Sequence, residues 1–149
     1  MIIRKALADD TQQIIRFQIA MALETENATL DPGTVSCGVT AVFTDPGKGT
    51  YYVAEDNGLA IGSLLTTFEW SDWRNGTVLW IQSVYVLPEF RQKGIYKSLY
   101  GHIKTLVEHD SNLKGIRLYA DKSNLTAQQV YEKLGMTADH YQLYEWLKP

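Results

Sequence analysis

The sequence predicts an α/β (α+β) domain: a mixed, mostly antiparallel twisted sheet of six to seven strands, with about four helices divided over both faces. Three observations predict it. Asn57-Gly58 and Asn75-Gly76 each stand between apolar runs, and Asn-Gly is the strongest short-range hairpin signal. A strand-like run at 77–87, a helical stripe at 94–109 and a short apolar run at 116–120 follow one another as a β–α–β unit. That mixed order of elements gives a sheet with helices layered on it.

The elements follow in order. Ile2 and Ile3 read as a short first strand. Asp9 or Asp10 can cap a helix that carries Ile14, Ile15, Phe17, Ile19 and Met21. "ETENATLDPG", residues 24–33, is a polar break. Val35, Val39 and Val42 recur at helical spacing and predict a second helix, which "DPGKG" at 45–49 ends. Three antiparallel strands are expected near 51–55, 59–70 and 77–87. Ile95, Leu99, Ile103, Leu106 and Val107 form the apolar stripe of the helix at 94–109. "IRLYA" at 116–120 reads as a buried strand, parallel to 77–87 across a right-handed crossover. "NLTAQQVYEKLGM" is a short helix with Asn124 as its cap and Gly135 as its stop. "YQLYEWL" alternates as a final strand. No linker, repeat or low-complexity segment divides the chain, so one domain over 1–149 is expected.

Composition narrows the function. A hydrophobic content of 45% is ample for a packed core. The net charge of -3 argues against a polyanion partner, so no nucleic acid is expected. No run approaches the ~20 apolar residues of a membrane helix, and the start of the chain lacks the apolar run of a signal peptide. A lone Cys37 permits no internal disulfide, which fits a reducing cytoplasm, and it reads as a small buried hydrophobe. His102, His109 and His140 have no metal-ligand spacing, so no metal is expected, and His109 suits the negative end of its helix.

Chemistry concentrates in "VYVLPEFRQKGIYKSLY", residues 84–100. A helix that begins here offers first-turn amides with no intrahelical acceptor, plus the positive end of its dipole. Gly94 permits close backbone approach, and Arg91 and Lys93 add charge. The combination is an anion site suited to phosphate. A nucleotide P-loop requires glycines where Arg91 and Tyr96 stand, and a dinucleotide fingerprint requires three glycines where only Gly94 is present. The remaining pattern is R/Q-x-x-G-x-G/A, here Arg91-Gln92-Lys93-Gly94-Ile95-Tyr96.

With "SVYVLPEF" before it and N-x-x-A-x-x-x-Y-x-K-x-G at 124–135 after it, this segment resembles the GNAT superfamily of N-acetyltransferases. The resemblance extends over nearly the whole element order. It implies acetyl transfer from acetyl-CoA (coenzyme A as co-substrate) to a small-molecule or peptide amine, by direct attack in a ternary complex. Backbone amides of Gln92, Lys93, Gly94, Ile95, Tyr96 and Lys97 would hold the diphosphate beside Arg91. The pantetheine arm would pair with Val84, Tyr85 and Val86 like an added strand, and the Val86 N–H would bind the thioester oxygen. Tyr131 matches the family's general acid; phenols are protonated at neutral pH and can donate to a thiolate. Asn124 matches a contact to the cofactor arm. Tyr96 departs from the family, which carries Gly or Ala there.

An ammonium must lose a proton before it attacks. Glu24, Glu26, Glu69 and Asp72 are the candidate bases, with a water chain as the alternative. Related polyamine acetyltransferases carry a glutamate where Gln82 stands. Trp70 and Trp73 flank a hairpin tip and could line an acceptor pocket or cover the sheet. A catalytically silent acyl-CoA sensor is the competing function. Many relatives are dimers, and the edge of "YQLYEWL" fits a homodimer.

Overall fold

A computed structural model describes all 149 residues. They form two compact units, Met1–Arg117 and Leu118–Pro149.

The first unit holds a five-stranded sheet in the order β1-β2-β3-β4-β5. Its strands are β1 (Ile2–Lys5), β2 (Thr50–Asp56), β3 (Leu59–Ser71), β4 (Gly76–Val86) and β5 (Leu113–Arg117). All neighbours are antiparallel except β4 and β5, which are parallel. At the β2–β3 turn Asn57 and Gly58 both take positive φ, 50° and 79°, as a type I′ hairpin demands. The next hairpin differs from its sequence signal. Ser71 pairs with Gly76, so the loop is the four residues 72–75, and only Asn75 is left-handed.

Three helices cover this sheet: α1 (Thr11–Glu26), α2 (Pro32–Thr44) and α3 (Ile95–His109). Adjacent residues of a strand point to opposite faces. Tyr51 and Val53 of β2 cluster with Ile14 and Ile15 of α1 and Val39 of α2. Tyr52, between them, meets His102 of α3, ring centroids 5.5 Å apart. Helices α1 and α2 therefore lie on one face and α3 on the other. The stripe read from the sequence is the one that α3 buries, through Ile95, Leu99 and Ile103.

Local capping explains two boundaries. Asp31 accepts from the Thr34 amide at 2.9 Å, and Pro32 occupies the first helical position of α2. Asp10 precedes α1, but its side chain does not cap that helix. It accepts the Leu7 amide at 2.7 Å and takes both terminal nitrogens of Arg4 at 2.8 and 3.1 Å. Arg4 also donates to Glu55 at 2.6 Å, which ties β1 to β2 and to the entrance of α1.

Four expectations need correction. The sheet has five strands, not six to seven. The fifth is Leu113–Arg117 rather than 116–120, because the ladder with Thr77–Trp80 sets its limits and Leu118 to Ala120 have no place in it. "YQLYEWL" forms no strand: its alternation fits a strand, but it joins no ladder to satisfy its amides and carbonyls. Cys37 is exposed, since it stands two residues from Val35 and from Val39, on the far side of α2 from the stripe that packs inward.

The second unit carries α4 (Leu125–Lys133). Asn124 caps it, accepting the Ala127 amide at 3.1 Å. Gly135, at φ 88°, ends it, and the Met136 amide returns to the Tyr131 carbonyl at 3.0 Å.

Candidate active site

The site is built where β4 outlasts its parallel neighbour. Pairing of β4 with β5 ends at Trp80 and Arg117, whereas β4 continues to Val86. The Leu87 amide donates to the Ile61 carbonyl at 2.9 Å, so residue 87 points its backbone at β3. Backbone direction alternates along a strand in an antiparallel ladder. Hence the N–H and C=O of Val86 face the opposite edge, the one β5 does not cover.

A bulge turns the strand just before this edge. Ser63 pairs with Tyr85 and Leu65 with Gln82, so β4 holds one extra residue there. Ser83 absorbs it in a left-handed conformation, φ 55°. The result places Gln82 and Tyr85, three apart, on the same face as Leu65 and α1. Opposite Val86 stands Gly62, where an added Cβ would lie 2.9 Å from the Tyr85 carbonyl oxygen. Only glycine lets the two strands approach this closely.

Beyond Val86 the chain makes a 3-10 turn, Pro88–Phe90, then an extended Arg91, a left-handed Gln92 at φ 62° and a left-handed Gly94 at φ 78°. Helix α3 begins directly after, at Ile95. Its first-turn amides have no acceptor within the helix, and no atom lies within 4 Å of the position a Gly94 Cβ would take. Gln92, Lys93, Gly94 and Lys97 are exposed, Ile95 is buried and Tyr96 half-buried. An open left-handed glycine at a helix N-terminus, with Arg91 and Lys93 beside it, fits a diphosphate. The residues present therefore suit coenzyme A.

The structure gathers Glu24, Tyr85, Val86 and Arg91, although Glu24 and Arg91 are 67 positions apart. Arg91 donates through Nη2 to Glu24 Oε2 at 2.7 Å and through Nε to the Val86 carbonyl at 2.9 Å. Its guanidinium carbon lies 5.3 Å from the centre of the Tyr85 ring. The Tyr85 hydroxyl donates to Glu24 Oε1 at 2.8 Å, and its ring packs on Phe17 at 5.2 Å. Hydrogen bonds from Arg91 and then Tyr85 hold the Glu24 carboxyl below its ordinary range. Burial, then the Glu24 carboxylate, pushes the Tyr85 phenol up.

The other candidates are placed elsewhere. Gln82 donates to Thr67 Oγ1 at 3.0 Å on the α1 side. Glu69 pairs with Val78, eight positions before Val86; it accepts from Trp80 Nε1 at 3.1 Å and from Arg117. Trp70 pairs with Thr77, some 30 Å along the strand from Val86, and is exposed. Asp72 accepts the Trp73 amide at 2.9 Å within the hairpin loop, and Glu26 is exposed at the end of α1. In the second unit Tyr131 is half-buried on α4, and Asn124 is its cap. No three His, Cys, Asp or Glu side chains converge as a metal-holding group. Sequence reasoning missed the grouping of Glu24 with Tyr85. A helical count would have shown Phe17 and Glu24, seven apart, on the same side of α1.

Comparison with known proteins identifies the family. The model of the "Acetyltransferase (GNAT) family" matches residues 18–136. The chain belongs to the GNAT acetyltransferase family, and acyl transfer is the activity that membership supports. It is similar to "a possible acetyltransferase from Clostridium difficile 630", with 42% identity, 99% of this chain and 97% of that chain covered, and a TM-score of 0.93. Two more distant structures share the fold. One is a transcriptional regulator from Bacillus halodurans C-125, at 21% identity, TM-score 0.83, covering 98% of this chain and 99% of that one. The other is a ribosomal-protein-alanine N-acetyltransferase from Brucella melitensis biovar Abortus 2308, at 16% identity, TM-score 0.79, covering 99% of each chain. No curated protein matches the chain significantly. No helix is long and apolar enough to cross a membrane.

Proposed function

We propose that the chain, as a single domain over 1–149, is an N-acetyltransferase that moves the acetyl group of acetyl-CoA to a small-molecule or peptide amine. Attack is direct, in a ternary complex. The observation that carries this is the uncovered edge of β4: Val86 offers an N–H and a C=O there, a few residues before the open turn at Gly94.

Acetyl-CoA supplies the activated acyl group as a thioester. The amides from Gln92 to Lys97 bind its diphosphate, with Arg91 and Lys93 adding charge. Val84, Tyr85 and Val86 align the pantetheine arm as an extra strand would align. The Val86 N–H donates to the thioester oxygen as charge develops on it; losing such a donor costs ~10²–10³ in rate. Tyr131 donates a proton to the departing thiolate, and Asn124 contacts the cofactor arm, both by their places in the motif at 124–135. Glu24 is a weak base: Arg91 in the free protein, and the Tyr85 hydroxyl, stabilise its ionised form. Gln82 has no basic group. The amine therefore loses its proton to water.

The test is thiol release from acetyl-CoA against a panel of amines, peptides and aminoglycosides. A subset of acceptors should raise the rate well above background. Flat rates across the panel, with acetyl-CoA still bound, would favour a silent acyl-CoA sensor.

A further inference from the structure

We propose that Glu24 and Tyr85 form a cation subsite for the amine acceptor, and that Arg91 masks this subsite until the cofactor diphosphate draws its guanidinium away. The inference rests on the N-acetyltransferase function proposed for this site.

Three features point to a cation. Glu24 lies in the last turn of α1, three residues before the left-handed Asn27 that ends it. The carbonyl end of a helix is its negative end, so carboxylate and helix attract positive charge together. The Tyr85 hydroxyl fixes one carboxylate oxygen at 2.8 Å and leaves the other for a second donor. The Tyr85 ring is itself held by Phe17, and its face already receives a cation. In the free protein Arg91 fills that place, and so stands in for an acceptor ammonium.

Arg91 also opens the phosphate-binding segment, so two anions compete for one guanidinium. The Glu24 pair is partly open to solvent, with side chains 43% and 37% exposed, and such pairs are weak. Arginine binds phosphate oxygens through two parallel hydrogen bonds, which is the stronger interaction. When Arg91 turns to the diphosphate it leaves Glu24 Oε2, the Tyr85 ring and the Val86 carbonyl. The carbonyl is then free for the pantetheine arm and the carboxylate for a cationic amine. Cofactor and acceptor are thereby coupled, with the cofactor first, and the coupling is reciprocal.

Calorimetry on the full chain tests both halves, using coenzyme A, which transfers no acetyl group. Glu24→Gln should bind coenzyme A up to about fivefold tighter than the wild type, the most an exposed ion pair can withhold. Removing a negative charge could strengthen phosphate binding on its own, so the change is repeated in an Arg91→Gln background. There the gain should vanish. An equal gain in both backgrounds, or no gain in either, overturns the competition.

The second titration uses 1,3-diaminopropane. Wild type saturated with coenzyme A should bind it several-fold more tightly than free wild type, and Glu24→Gln should show no such difference. Equal affinity with and without coenzyme A, or no binding in either case, overturns the subsite. Circular dichroism melting confirms that each variant is folded. If the wild type gives no heat with coenzyme A, the proposed function fails and this inference with it. Binding of coenzyme A with an unchanged diamine affinity refutes the subsite alone.

Discussion

Replacing Gly62 by alanine tests whether strand spacing at the end of β4 is set as tightly as the geometry requires. The new Cβ would sit 2.9 Å from the Tyr85 carbonyl oxygen and 3.3 Å from Val86 Cγ2. The oxygen is backbone and belongs to a ladder, so it cannot rotate aside. Ordinary contact begins near 3.4 Å, so β3 and β4 must part by about half an ångström. Overpacking of this kind costs about 1–3 kcal/mol. Loss of backbone freedom in the unfolded chain returns ~0.4–1 kcal/mol. The net expectation is a loss of ~1–2 kcal/mol. At roughly 2–4 °C per kcal/mol for a chain of this size, the midpoint should fall by about 2–8 °C. Urea unfolding followed by circular dichroism measures the energy, and calorimetry the midpoint. The displaced residues include Val86, so affinity for acetyl-CoA should fall as well. Gly101→Ala is the control. Gly101 lies inside α3, and its Cβ would meet nothing within 4 Å. The same chemical change there should stabilise by ~0.5–1 kcal/mol. If Gly62→Ala matches or exceeds the wild type in stability, the close approach of the strands is not what holds glycine at that position.

Further outcomes can be measured directly. Asp10→Asn should destabilise by about 1.5–3 kcal/mol in urea, because its carboxylate accepts from Arg4 and from the Leu7 amide. Burial alone would raise the Asp10 carboxyl, but the Arg4 and Leu7 hydrogen bonds outweigh it and hold it below its ordinary range. A depressed carboxylate stabilises the fold above its unfolded pKa. The gap between wild type and Asp10→Asn should therefore be full at pH 6 and shrink as pH falls below ~3.9; a gap that widens on acidification would contradict the network. Leu99→Ala, at a fully buried position of α3, should cost ~2–5 kcal/mol by the same assay. Tyr131→Phe should lower turnover while leaving acetyl-CoA affinity nearly unchanged, and unchanged turnover would remove Tyr131 as the acid.

The local parts of the fold were legible because local chemistry decides them. Asn57-Gly58 dictates its hairpin since both residues must take positive φ. The stripe of Ile95, Leu99 and Ile103 fixes which side of α3 turns inward. Features made by distant pairing left weaker marks. The ends of β5 follow from what Thr77 to Trp80 offer, and no pattern within 113–120 records that. "YQLYEWL" has the alternation of a strand, but alternation states a preference and a ladder needs a neighbour. The bulge at Ser83 has no signature, because serine is unremarkable in a strand and only the register against β3 exposes it. The candidate site divides in the same way. Its backbone portion, from Val84 to Lys97, is contiguous and was readable as a motif. Glu24 was readable only as one carboxylate among several, because its partners lie more than sixty residues away.

The extra residue in β4 makes the length of that strand as much a part of the inheritance of this protein as its composition. Up to Gln82, even-numbered side chains look toward α1; from Tyr85, odd-numbered ones do. Without the bulge, a strand of the same length would run in unbroken alternation and swing Tyr85 to the face away from α1. Substitutions that leave the bulge in place keep this arrangement, whereas a change that straightened β4 at constant length would give a tidier strand and lose the partner of Glu24.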